Sequence, residues 1–192
     1  MEKFELTLQS QPAIDAYIAD SHLMPDEKAI LAEITDVIAA GDAKQLNWFA
    51  GFGDSFRAIL MNVNHYRKGL EFGFTAIAFT GYGWFAAPQF LDFELIRFER
   101  SEIRIGRGPN GLWAYAKFSD YGCAGGGGPL CVFCKKYPSR EAVLDAALSE
   151  LKADFTKYLN HSDTTNYKQD VVQKTLKAIA AYQVGRVQLN LF

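Results

Sequence analysis

The amino-acid sequence predicts an α+β fold. The expected form is a single domain, with an antiparallel sheet of about four to six strands, helices on one side, and two C-terminal helices. Three observations carry this. Residues 90–119 alternate between apolar and polar side chains around an Asn110-Gly111 turn. Residues 25–41 repeat apolar side chains at three- and four-residue steps. Residues 139–160 and 166–182 do the same.

In chain order, Phe4, Leu6 and Leu8 alternate with polar residues and predict a short strand. Pro12 opens a short helix over residues 12–19, because proline suits the first helical turn. Pro25, Asp26 and Glu27 start a clearer helix, since acids favour its positive end. Ala29, Ile30, Ile34, Val37 and Ile38 form its apolar face, and Gly41 ends it. Residues 48–66 admit two readings, a helix from Ser55 or a strand through residues 59–63. Gly51-Phe52-Gly53 lacks the third glycine and the lysine of a phosphate loop, and reads as a turn entering a core element. Residues 72–79 are apolar on both faces and predict a buried strand or short buried helix.

Strands are expected over residues 90–100, 101–106 and 112–119. On the last of these, Leu112, Ala114, Ala116 and Phe118 share one face, and Trp113, Tyr115 and Lys117 the other. Residues 125–128 are four glycines in a row, which predicts a mobile loop between sheet and helix. Residues 130–133 predict one more short strand. Ser139 caps the next helix and Glu141 complements its dipole. The last helix ends at Gly185. The expected division is a single domain over residues 1–185 and an extended tail over residues 186–192.

Composition bounds the function. The chain has 192 residues, 49% of them hydrophobic and 14% aromatic, enough for a well-packed core. A net charge of −2 gives no basic stripe, so direct nucleic-acid binding is unsupported. The opening residues are too polar for a secretory signal, and three cysteines is an odd count, so a reducing, cytoplasmic setting is expected. The apolar run over residues 72–90 is punctuated by glycines and Thr80 and falls short of a membrane span.

Several groups are candidates for chemistry. Cys131 and Cys134 form a Cys-x-x-Cys pair, with seven residues separating Cys123 from Cys131. Such a pair can offer two thiolates to zinc, with Cys123 third and His65 or His161 fourth. The same spacing can be a redox pair, or two small apolar residues at a strand end. His22, His65 and His161 sit in no nucleophile or metalloprotease pattern, and no catalytic residue is assigned. The Trp113, Tyr115 and Lys117 face can stack bases or pack as core.

The sharpest pattern is Gln188-Leu189-Asn190-Leu191-Phe192. It resembles the bacterial sliding-clamp-binding pentapeptide, Gln-Leu-Ser/Asp-Leu-Phe, with Asn190 at the Ser/Asp position. The resemblance implies docking through Gln188, Leu189, Leu191 and Phe192, the apolar side chains entering a pocket and the amide directing hydrogen bonds. Lys174, Lys177 and Arg186, with no acid after residue 171, leave little to repel an acidic partner. The alternation of Val187, Leu189 and Leu191 reads equally as a final strand of the chain's own sheet. Residues 108–151 carry Gly108-Pro109-Asn110-Gly111-Leu112-Trp113 and Tyr137-Pro138-Ser139-Arg140-Glu141-Ala142. They resemble a small domain of plasmid and phage proteins that accompanies ParB-like and adenine-methylase-type DNA proteins. That resemblance implies DNA metabolism of a mobile element and brings no catalytic residues. The expectation is a non-enzymatic accessory protein of phage or plasmid DNA metabolism, docking on the host sliding clamp. The alternatives are a zinc-stabilised binding module, or an enzyme assembled from scattered residues.

Overall fold

The computed structural model describes residues 4–189 and is α+β, with a four-stranded antiparallel sheet. Its contacts divide the chain into two compact units, Met1–Pro88 and Gln89–Phe192.

The first unit is helical: α1 (Gln11–Asp20), α2 (Pro25–Ala39), α3 (Ala43–Ala50) and α4 (Phe56–Leu70). The expected strand over residues 4–8 does not form. Ser10 turns that segment instead, its Oγ accepting the Thr7 N–H at 2.9 Å. α2 starts as its sequence predicts, with the Glu27 carboxylate accepting the Met24 N–H at 2.7 Å. Between the two readings of residues 48–66, the helix prevails. Ser55 Oγ caps Ala58 N–H at 3.2 Å, and Phe56, Ile59, Leu60 and Val63 bury one stripe of α4. Gly53 is the turn residue before it: a Cβ there would lie 2.5 Å from the Ala58 Cβ. The core of this unit gathers Ile14, Leu31, Ile34, Phe49, Phe52, Ile59 and Leu60.

The apolar run after α4 corrects the expectation of a buried strand or helix. Phe72 is buried, but residues 75–84 are exposed. They form an irregular hairpin, in which Ala86 N–H donates to Ala78 O and Thr80 N–H to Trp84 O, both at 2.8 Å. One buried side chain holds it. Asn62 Nδ2 donates to Phe52 O at 2.6 Å and to Gly83 O at 2.8 Å, and its Oδ1 accepts the Phe85 N–H at 2.8 Å.

The second unit carries β1 (Leu91–Phe98), β2 (Ser101–Arg107), β3 (Trp113–Asp120) and β4 (Gly125–Gly127), in spatial order β1-β2-β3-β4. The Asn-Gly turn joins β2 to β3, with Gly108 N–H bonded to Leu112 O at 2.7 Å and Gly111 at φ +88°. Register pairs Ile96 with Ile103, Ile103 with Lys117 and Ile105 with Tyr115. These side chains share the face that the helix Arg140–Lys157 covers.

Two expectations change here. The four-glycine stretch is not a free loop: Gly125, Gly126 and Gly127 pair with Asp120, Ser119 and Phe118 as β4. Residues 130–133 form no strand and turn back at Cys131–Cys134 instead.

α5 (Arg140–Lys157) and α6 (Gln169–Leu189) follow, packed on one face of the sheet. Ser139 Oγ caps α5 through Ala142 N–H at 3.1 Å, as its sequence predicts. Val143, Leu144, Ala147, Leu148, Leu151 and Phe155 bury against Ile103, Ile105 and Trp113. The opposite face is closed where Gly106 and Ala114 are paired. A Cβ on Gly106 would lie 2.6 Å from the Phe90 Cβ and 3.0 Å from Leu130 Cδ2. α6 continues past Gly185, so residues 186–189 are helical and not the extended tail that the sequence predicts.

Candidate functional site

The end of α6 carries the docking candidate. Val172, Thr175 and Ile179 are buried, and Tyr182 sets its ring edge on Phe98, with centroids 5.4 Å apart. One turn on, Arg186 pairs with Asp145 of α5 at 2.6 Å. Gln188 lies beyond that pair and is exposed. Leu191 and Phe192 lie outside the described residues, as does the side chain of Leu189. Of the three basic residues that leave little to repel an acidic partner, Lys174 is 3.6 Å from Asp170 and Arg186 is held by Asp145. No sheet strand is built from residues 186–189, which removes the reading of those residues as a final strand.

The Cys-x-x-Cys pair closes a tight turn. Cys134 N–H donates to Cys131 O at 3.0 Å, and the two sulfurs stand 3.8 Å apart. Burial pushes the Cys134 thiol above its ordinary pKa. Cys123 is exposed and does not join them. Among the described residues, no group of three or more His, Cys, Asp or Glu gathers where a metal could be held. Of the three cysteines singled out by spacing, the turn brings Cys131 and Cys134 together.

Of the two readings of the Trp113, Tyr115 and Lys117 face, base stacking or packing, packing is what the structure shows. Trp113 is buried. Tyr115 donates its hydroxyl to Glu150, and Lys117 reaches Glu150 at 2.8 Å and Asp154 on α5. Burial and the bond to Glu150 raise the Tyr115 pKa, and the bonds from Lys117 and Tyr115 hold the Glu150 carboxyl below its usual range. Burial alone would lower Lys117, but its two carboxylate bonds outweigh that and leave its pKa raised. This polar seam fixes α5 to β3.

His65 belongs to the first unit and His161 to the second. His65 lies on α4 with its ring 5.4 Å from that of Phe85, and desolvation lowers its pKa. His161 sits in the loop after α5, beside Tyr167 at 4.8 Å, which itself stacks on Tyr158 at 4.0 Å and 8°. Its Nδ1 accepts the Asp163 N–H at 3.1 Å, so the ring is part of the turn into α6. In the first unit, a cavity of about 540 Å³ is lined by Glu33, Asp42, Lys44, Gln45, Trp48 and Arg67. Its strongest charges are internally matched, Arg67 bonding both Glu33 oxygens at 2.7 and 2.5 Å.

Sequence reasoning missed the hairpin as a surface. Ile77, Phe79, Tyr82 and Trp84 are exposed there, Tyr82 to 92%, and residues 72–91 hold no charged side chain. Gly81-Tyr82-Gly83-Trp84 does read as a loop from its glycine pair, but residues 72–79 before it read as buried.

Comparison of the chain with protein-family models, with curated proteins and with solved structures gives no match. Among the described residues, no helix is long and apolar enough to cross a membrane.

Proposed function

We propose that the chain is a partner-binding accessory protein of phage or plasmid DNA metabolism that docks on a bacterial DNA sliding clamp through residues 188–192. The observation that carries this is the pentapeptide itself, Gln188-Leu189-Asn190-Leu191-Phe192, whose first residue is exposed past the Arg186–Asp145 pair. The mobile-element setting rests on the likeness of residues 108–151 described above.

Helix physics supports release of the segment. The last four carbonyls of any helix lack intrahelical partners, so terminal turns fray. Gly185 weakens the helix just upstream, where glycine costs roughly 1 kcal/mol relative to alanine. Unwinding residues 186–189 would break the partly exposed Arg186–Asp145 pair, a loss of about 0.5 kcal/mol after solvent screening. A clamp groove that buries two leucines and a phenylalanine can offset this, at about 1.5–3 kcal/mol per fully buried side chain.

The test is titration of the full chain against a purified bacterial sliding clamp. Saturable binding is expected. It should be displaced by the free Gln-Leu-Asn-Leu-Phe peptide and weakened at least tenfold by deletion of residues 188–192. No binding by the full chain, or binding unchanged by the deletion, overturns the reading.

A further inference from the structure

We propose that Cys131 and Cys134 form a dithiol site whose co-reactant is a small organic disulfide, the pair cycling between two thiols and one intrachain disulfide. The inference is independent of the clamp reading and rests on the geometry of one turn.

Four observations converge. The sulfurs are 3.8 Å apart on a turn closed by the Cys134 N–H to Cys131 O bond at 3.0 Å. The turn is braced from within: Cys131 N–H points at Cys134 Sγ at 3.5 Å, and the Cys134 thiol lies 3.9 Å from Pro129 O, which can accept its hydrogen. The turn is also anchored, since Val132 between the cysteines is 1% exposed and Leu130 sits over Gly106 of β2. Both cysteines stay half-exposed, so a small molecule can reach them. A disulfide bond needs the sulfurs at about 2 Å. Closing the 3.8 Å gap between the sulfurs requires rotation about the two Cα–Cβ bonds.

The chemistry balances as thiol–disulfide exchange. The Cys131 thiolate attacks one sulfur of the small disulfide. That S–S bond breaks, a mixed disulfide forms on Cys131, and the first small thiolate leaves and takes up a proton. Cys134 then gives up its proton and attacks the Cys131 sulfur. The Cys131–Cys134 bond forms and the second small thiolate leaves, protonated in turn. Two protein thiols are oxidised, and one small disulfide is reduced to two small thiols. Burial raises the Cys134 pKa, which suits it to the second step, where its partner sulfur is already held beside it. Cys123 is exposed and outside the turn, so it takes no part.

The experiment equilibrates the reduced full chain in glutathione buffers of set thiol-to-disulfide ratio, quenches with acid, and maps the cysteines by mass spectrometry. The expected product has lost two hydrogens and carries a Cys131–Cys134 bond. Its equilibrium constant should be at least tenfold above that of an isolated peptide spanning residues 129–136, equivalent to about 30 mV for a two-electron couple. Cys123→Ser should oxidise as the parent does. Cys134→Ser should stop at glutathione held on Cys131, a readout that survives any small loss of stability. Overturning results are a folded chain no more oxidisable than the peptide, a bond involving Cys123, or a parent chain that stops at the mixed disulfide.

Discussion

The two units each hold an awkward segment in place, and they do so by opposite means. The helical unit pins its charge-free hairpin through one neutral side chain, Asn62, whose amide makes three bonds of 2.6–2.8 Å in a buried position. The sheet unit pins its glycine strand through the main chain, and its helix α5 through ion pairs at the rim of the interface. Arg140 bonds both Glu94 oxygens at 2.6 Å, and Lys117 bridges Glu150 and Asp154. A buried neutral amide concentrates the stabilisation at one residue, because every group left unpaired there is desolvated. Half-exposed ion pairs spread it over several residues, each screened by water.

The largest test of this contrast is Asn62→Ala. It strands the Phe85 N–H and the Phe52 and Gly83 carbonyls. The expected loss is about 2–4 kcal/mol, read as a lower urea midpoint, with faster amide exchange at Phe85. An unchanged midpoint would mean that the hairpin holds by its aromatic packing, Phe79 on Phe52 at 6.0 Å and on Phe85 at 5.9 Å.

The glycine strand is tested next, by two alanines one residue apart. A Cβ on Gly127 would lie 2.2 Å from Lys117 O, a backbone atom, whereas a Cβ on Gly126 meets nothing within 4 Å. Gly127→Ala should push β4 off β3 and cost about 1–3 kcal/mol. Gly126→Ala should be neutral or slightly stabilising, since alanine has less freedom to lose on folding. Equal effects at the two sites would show that the chain relaxes around β4 instead of being fixed by it.

The same positions explain what the sequence could and could not convey. Strands β1 to β3 were legible because they alternate at period two and turn at Asn110-Gly111, both local signals. Helices α2 and α5 were legible from their caps. The segment over residues 72–79 was misread because apolar content without period says nothing about burial. β4 was hidden because its strand identity lies in the room that β3 leaves for a backbone without Cβ atoms, not in its own residues. α6 runs through Gly185 because Tyr182 on Phe98 and Arg186 on Asp145 hold the helix on either side of it. The closeness of Cys131 and Cys134 was legible from their spacing.

The smallest expected destabilisation is that of Glu150→Gln, and it separates the two kinds of fastening by pH. The carboxyl of Glu150 is held below its ordinary value of 4.5, first by the bond from Lys117 and then by that from Tyr115. A depressed folded pKa gives stability that is present above pH 4.5 and lost as pH falls through the folded value. At neutral pH the variant should therefore lose about 0.5 kcal/mol, small because the Glu150 side chain is 49% exposed. As pH falls through that folded value the variant and the parent should converge, because the parent's carboxyl is then protonated as well. The opposite limb behaves differently. Tyr115 and Lys117 both have raised pKa values, so their contribution is full below their ordinary values of 10.0 and 10.5, and lost as pH rises through the folded ones. Asn62 has no titrating group, so the deficit of Asn62→Ala should stay constant across the range while that of Glu150→Gln shrinks in acid. Urea midpoints of both variants from pH 3 to pH 9 would show it. A pH-independent deficit for Glu150→Gln would place its role in packing, and the seam between α5 and β3 would then be held by its apolar contacts alone.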